Sequence, residues 1–114
     1  MKLKDIAALL GAEVLAGAGS LDLEVETAVA SDGMSEILAS PHPGALMITG
    51  LTNIQSVRTA EMADLPAILY VRGKRPNDKT VELAAAKNIV VLAARQGMFD
   101  TCGLLRERGL RGGM

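Results

Sequence analysis

Apolar residues change their spacing along this chain, and the changes divide it into elements. Leu3, Ile6, Ala7, Leu9 and Leu10 recur on one helical face, and Gly11 follows as a carboxyl-end cap, so the opening predicts a short amphipathic helix. "EVLAG" at 13–17 reads as a short strand, and the glycine-rich "AGAGSLDLE" at 16–24 as a turn or hairpin. Val25, Thr27 and Val29 alternate with smaller residues in "VETAVASD", which predicts a strand ending at Ser31 and Asp32. Either of those two can cap the helix "MSEILAS" that follows. "PHPG" at 41–44 stops that helix, because proline lacks the amide donor and restricts the residue before it.

From residue 45 the pattern becomes strand, helix, strand, helix, strand, helix. "ALMIT", "PAILYV" and "IVVLA" are continuous apolar runs, the mark of strands covered on both faces. Between them, "NIQSVRTAEMAD" places Ile54, Val57 and Met62 on one helical side. "KTVELAAAKN" is a second helix, capped by Asn77 or Asp78 after the polar connection "RGKRPNDKT". "MFDTCGLLRERG" is a last helix, ended by Gly109, and the closing "RGLRGGM" is expected to fray at its end. The expected fold is α/β, a largely parallel sheet flanked by helices with right-handed crossovers, the first segments adding to its edge.

The 114 residues suit one domain, 1–114, without repeats or low-complexity tracts. Only Tyr70 and Phe99 are aromatic, so the core must be aliphatic, helped by six methionines. A formal charge of −1 supplies no field that would draw the chain to nucleic acid or an anionic membrane. Cys102 and His42 stand alone in their types, which excludes an internal disulfide, a four-cysteine zinc site and a protein-held iron–sulfur cluster. Asp5 and Glu13 interrupt the amino-terminal apolar residues, so neither signal peptide nor membrane span is read, and a cytoplasmic protein is expected.

In parallel sheets, ligands gather outside the carboxyl ends of the strands. Three such ends are legible: Ser31, Asp32 and Gly33; Thr49, Gly50, Leu51, Thr52 and Asn53; and Arg72, Gly73, Lys74 and Arg75. The turn in "MITGLTNIQS" could offer backbone amides to an anion, but it lacks the second glycine and the lysine of a nucleotide-binding P-loop. Gly50 is there read as supplying backbone freedom, and Thr52 or Asn53 as a helix cap. "RGKRP" gathers three cations within four residues, enough for a phosphate or carboxylate contact. Asp32 is a candidate base or ligand but is alone, so a capping role is expected. Cys102 reads as a small buried hydrophobe, and neither a catalytic triad nor a paired-carboxylate arrangement is present.

The segments "MKLKDIAALLGAEVLAG", "ASDGMSEILAS", "GALMITGLTNIQSVRTAEMADLPAILYVRGKRPNDKTVELAAAKNIVVLAA" and "FDTCGLLRERGL" together resemble the DRTGG domain. The Ser-Asp then Met-Ser-Glu-Ile-Leu segment, the Ile-Thr strand followed by Asn53, and the closing Gly-Leu-Leu and Gly-Leu carry it. The naming motif itself is absent, and "VRGKRP" occupies the corresponding strand-end region. The resemblance implies a fold similar to the amino-terminal domain of HPr kinase/phosphorylase, without the separate P-loop domain that carries kinase activity. It also implies a non-catalytic regulatory or ligand-sensing module, a homodimer, acting on a partner enzyme or through a small anionic or nucleotide ligand, with no cofactor of its own. The alternative is an accessory protein of a hydrogenase or other redox enzyme, holding no cluster itself. A third reading is a small transferase or hydrolase using Asp32 and the "RGK" loop.

Overall fold

The computed structural model describes residues 1–114. In chain order the elements are α1 (Leu3–Leu10), β1 (Glu13–Ala16), a 3-10 turn (Ala18–Ser20), β2 (Thr27–Ala30), α2 (Met34–Ala39), β3 (Leu46–Thr49), α3 (Ile54–Met62), β4 (Ala67–Tyr70), α4 (Asp78–Ala86), β5 (Val90–Ala93), α5 (Met98–Glu107) and β6 (Arg111–Gly112). Every element expected from the apolar spacing is present, and the six strands form one sheet in the order β1-β5-β4-β3-β2-β6. All neighbours pair in parallel except β1, which runs antiparallel to β5 at one edge.

The strand order decides which face each helix covers. From β2 to β5 the chain steps one place at a time in one direction, so right-handed crossovers put α2, α3 and α4 on the same face. The return from β5 to β6 runs the other way and carries α5 to the opposite face, where α1 also lies. Side chains alternate accordingly: Met47, Ile68, Tyr70 and Val91 pack under α2, α3 and α4. Leu46, Ile48, Leu69, Leu92 and Leu105 pack with Leu3, Ile6 and Leu10 on the other side. Burying each such aliphatic side chain contributes roughly 1.5–3 kcal/mol before chain entropy is counted. No helix is long and apolar enough to cross a membrane.

Three expectations are corrected here. The closing segment is held as far as Gly113, because Arg111 and Gly112 pair with Thr27 and Ala28 and the Gly113 amide donates to the Ala28 carbonyl at 2.8 Å. Helix α3 does not bury Ile54 and Met62, which are 38% and 68% exposed; Ser56, Val57, Thr59 and Ala60 face inward instead. A helix packed between α2 and α4 needs small residues on its flanks, and the larger apolar side chains fall at its two ends. Neither Ser31 nor Asp32 caps α2, whose amino-cap is Gly33 with no side-chain bond. Asn53 and Asn77 do cap their helices, accepting from the amides of Gln55 and Thr80.

Candidate functional site

Parallel pairing of β2, β3 and β4 brings the three predicted strand ends to one side of the sheet. Asp32, in the bend between β2 and α2, reaches across to the next strand end. Its Oδ1 accepts from the Gly50 amide at 2.7 Å and from the Thr49 hydroxyl at 3.2 Å, while Oδ2 pairs with the Arg72 guanidinium at 3.3 Å. The Gly50 amide foremost, with the Arg72 and Thr49 donors, holds the Asp32 carboxyl below its usual value, against the opposing effect of partial burial. One carboxylate thereby clasps the ends of β2, β3 and β4.

The corner corrects the reading of Gly50. This glycine is not among those in the left-handed region, so backbone freedom is not its role. A β-carbon there would fall on the Arg72 guanidinium, the far end of a flexible side chain, so the glycine leaves Arg72 room to lie against the end of β3 while it pairs with Asp32. Arg72 itself is left-handed at φ 64°, followed by Gly73 at φ 69°. For a residue with a β-carbon that conformation costs about 1–2 kcal/mol. Two hydrogen bonds maintain it: the Arg72 amide donates to the Gln96 carbonyl at 2.8 Å and the Gly73 amide to the Ala94 carbonyl at 2.9 Å.

Those bonds join the loop after β4 to the loop after β5. This is the one place where neighbouring strands send their connections to opposite faces, α4 to one and α5 to the other, and such a junction is where open α/β sheets bind ligands. Arg72, Lys74, Arg75 and Arg95 are exposed there. Arg72 is neutralised by Asp32, and Arg75 by Glu13 of β1. Lys74 and Arg95 form no ion pair. Sequence reasoning missed Arg95, although its place just past the apolar run "IVVLA" marks it as the end of a strand.

The remaining predicted residues have local tasks. Ser31 Oγ accepts from the Gly33 amide at 2.9 Å, closing the turn into α2. Asn53 caps α3 and Thr52 is half-buried beside it. Behind them the fully buried Tyr70 hydroxyl meets Ser56 Oγ at 2.7 Å, and Ser56 donates to the Asn53 carbonyl at 2.7 Å, which ties the start of α3 to the end of β4. Burial pushes the Tyr70 hydroxyl pKa up, so it serves as a neutral donor.

A second concavity lies away from the strand ends. Helix α1 and helix α5 leave part of their face of the sheet uncovered near β2 and β6, opening an apolar groove of about 490 Å³ over Ala28, Ala30 and Ile48. Cys102 is half-buried on its wall, and burial pushes its thiol pKa up, away from nucleophilic use. The groove holds few polar groups to orient a small substrate, so the strand-end junction is the better candidate for ligand chemistry.

A family described as the DRTGG domain matches residues 5–107 of the chain. No curated protein matches it. Among solved structures, it is similar to the CBS and DRTGG domains of the regulatory region of Clostridium perfringens pyrophosphatase, complexed with the activator diadenosine tetraphosphate. The TM-score is 0.76 at 19% identity, over 91% of this chain and 45% of that one. The two share a fold, and the present chain spans less than half of the relative's length.

Proposed function

The chain belongs to the DRTGG domain family, and from that premise we propose that it is a ligand-sensing regulatory module acting on a partner enzyme, with a small polyanion such as a nucleotide as its ligand. The observation that carries this reading is the junction of the β4 and β5 loops, where Lys74 and Arg95 are exposed cations without internal partners. The activator bound by the structurally similar pyrophosphatase region supports the ligand class.

The geometry supports sensing in a specific way. Arg72 is held by Asp32 on one side and by the backbone of residues 94–96 on the other. A phosphate drawn in by Lys74 and Arg95 competes with Asp32 for the Arg72 guanidinium, since charge-assisted bonds to phosphate match those to a carboxylate. Any exchange of partners alters the clasp joining β2, β3 and β4, and so reaches the helices that follow them. We place this module in the cytoplasm as a homodimer.

Thermal denaturation with inorganic phosphate, acetyl phosphate, ATP and diadenosine tetraphosphate tests the reading. A ligand at about 100 times its Kd adds about 2.7 kcal/mol, which raises Tm by roughly 5 °C or more in a domain of this size. Lys74→Ala and Arg95→Ala are expected to remove that rise while leaving the unliganded Tm in place. If no anion shifts Tm, the sensing reading fails. Co-purification with an iron–sulfur enzyme in place of an anion response would redirect it to the redox-accessory role.

A further inference from the structure

The apolar groove of about 490 Å³ between α5, β2 and β6 shares no residue with the β4–β5 junction. Ala28, Ala30 and Ile48 lie beneath it. The alanines leave room that larger strand residues would fill, and Gly103 on the α5 wall does the same, since a β-carbon there would meet open space. Glycine inside a helix is less favourable than alanine, so no packing within the chain accounts for it. The groove is also polarised along its length. Phe99, 90% exposed, stands near the start of α5, and Arg106 stands near its end, about 10 Å further along the helix.

Arg106 and Arg111 are the charged side chains of the lining, and neither forms an ion pair. The Arg106 guanidinium reaches from α5 towards β6, its Nη1 4.0 Å from the place a β-carbon on Gly112 would take, so both cations mark the same end. Neighbouring acids do not pair with them. Asp100 and Glu107 share a stripe of α5 about a quarter turn away from Phe99, Gly103 and Arg106, and Glu26 meets Arg111 through a backbone bond. None of these three acids lines the groove.

We propose that this groove binds a linear acyl carboxylate, its head between Arg106 and Arg111 and its tail along Ala28 and Ala30 towards Phe99. Charge complementarity selects the head, because two unpaired guanidiniums at one end of an apolar channel fit a planar carboxylate. The lining selects the tail. Beyond the arginines its side chains offer aliphatic carbon, two sulfurs and one ring, so a sugar, a base or a peptide would bury polar groups without partners. A hydrocarbon has none to lose, and the volume suits a small-molecule site.

Isothermal titration calorimetry of the full chain with octanoate, decanoate and dodecanoate, each below its micelle threshold, tests the groove. Dissociation constants are expected to fall about three- to tenfold for each two carbons added, as burial of methylenes in a half-open groove requires. Arg106→Gln and Arg111→Gln are each expected to weaken dodecanoate about tenfold, and uncharged dodecanol to bind at least about tenfold less tightly than dodecanoate. Gly103→Leu fills the groove from a helix position that favours leucine, and is expected to abolish binding while thermal denaturation shows the chain still folded. Lys74→Ala and Arg95→Ala are expected to leave dodecanoate affinity unchanged, which separates this site from the anion response of the β4–β5 junction. Absence of dodecanoate binding up to about 1 mM overturns the proposal. So does binding indifferent to chain length or to Gly103→Leu, which would put the ligand elsewhere on the surface. Capture by vesicles of anionic phospholipid, or a doubling of mass in sedimentation, with no uptake of dodecanoate would make a membrane or a second copy the occupant and overturn it as well.

Discussion

The clasp at the ends of β2, β3 and β4 and the outer face of α5 both gather charged groups beside a glycine, yet they differ in where their partners are found. At the clasp, Asp32 meets Gly50, Thr49 and Arg72 within the chain, and the Arg72 guanidinium lies in the space beside the glycine. On α5, Asp100 and Arg106 have no ion-pair partner, Phe99 is bare to solvent, and Gly103 faces open space. Groups satisfied internally hold the architecture. Groups left unsatisfied at the surface are free to meet something outside it, as Lys74 and Arg95 also are.

Substitutions can break or sharpen that contrast. The largest effect is expected beneath the groove, where Ile48 is 1% exposed and belongs to the core although it lines an open surface. Ile48→Ala should cost about 2–4 kcal/mol in chemical denaturation. A cost below about 1 kcal/mol would mean that the groove reaches into the sheet and that the two regions are not separated by a packed core.

Next comes the clasp. Asp32→Ala removes the acceptor of the Gly50 amide and the partner of Arg72, and is expected to destabilise by about 1–2 kcal/mol, water at this half-exposed site moderating the loss. The pH dependence has a definite sign. Because the folded pKa of Asp32 lies below its ordinary value of 3.8, its contribution is present above that value and is lost as pH falls through the folded one. The stability gap between wild type and Asp32→Asn should therefore narrow below about pH 4. A gap that stays constant with pH would remove the clasp from the account of stability.

Gly103→Ala carries the comparison to the other region. Open space and a helical backbone predict a gain of about 1 kcal/mol in chemical denaturation. A variant less stable than wild type would contradict the open space at that position. The smallest effect belongs to Lys74→Ala, expected within about 0.5 kcal/mol of wild type, because an exposed cation without a partner contributes little to folding. Its signature is the loss of the anion-dependent rise in Tm.

Much of the fold was legible because continuous apolar runs and helical spacing are local signals. Leu46, Met47 and Ile48, then Ala67 to Tyr70, then Val90 to Leu92 announced buried parallel strands, and Asn53 and Asn77 announced helix starts by side-chain chemistry alone. Ile54 and Met62 misled because helical spacing identifies a stripe without telling whether neighbours flank it. The site was legible as three strand ends. Their mutual contacts were not, since Asp32 and Arg72 are 40 residues apart and meet only through the sheet. Arg95 was legible as a strand end, but that its loop joins the one after β4 emerges only from the bonds that the Gln96 and Ala94 carbonyls accept from the Arg72 and Gly73 amides.

The sequence by itself determined the elements, their order, the aliphatic core, and the lack of a nucleotide-binding loop or a cysteine cluster, all of which depend on residue type at short range. Tertiary structure alone decided the strand order β1-β5-β4-β3-β2-β6, and with it that α5 returns beneath the sheet, that β6 orders the carboxyl terminus and that a groove stays open beside it. It also turned Asp32 from a helix cap into a clasp, and it set the Arg72 guanidinium beside Gly50, which had been read as supplying backbone freedom. The reason is physical: periodicity and capping are set within a few residues, whereas a hydrogen bond across strands or an uncovered surface depends on where distant segments pack.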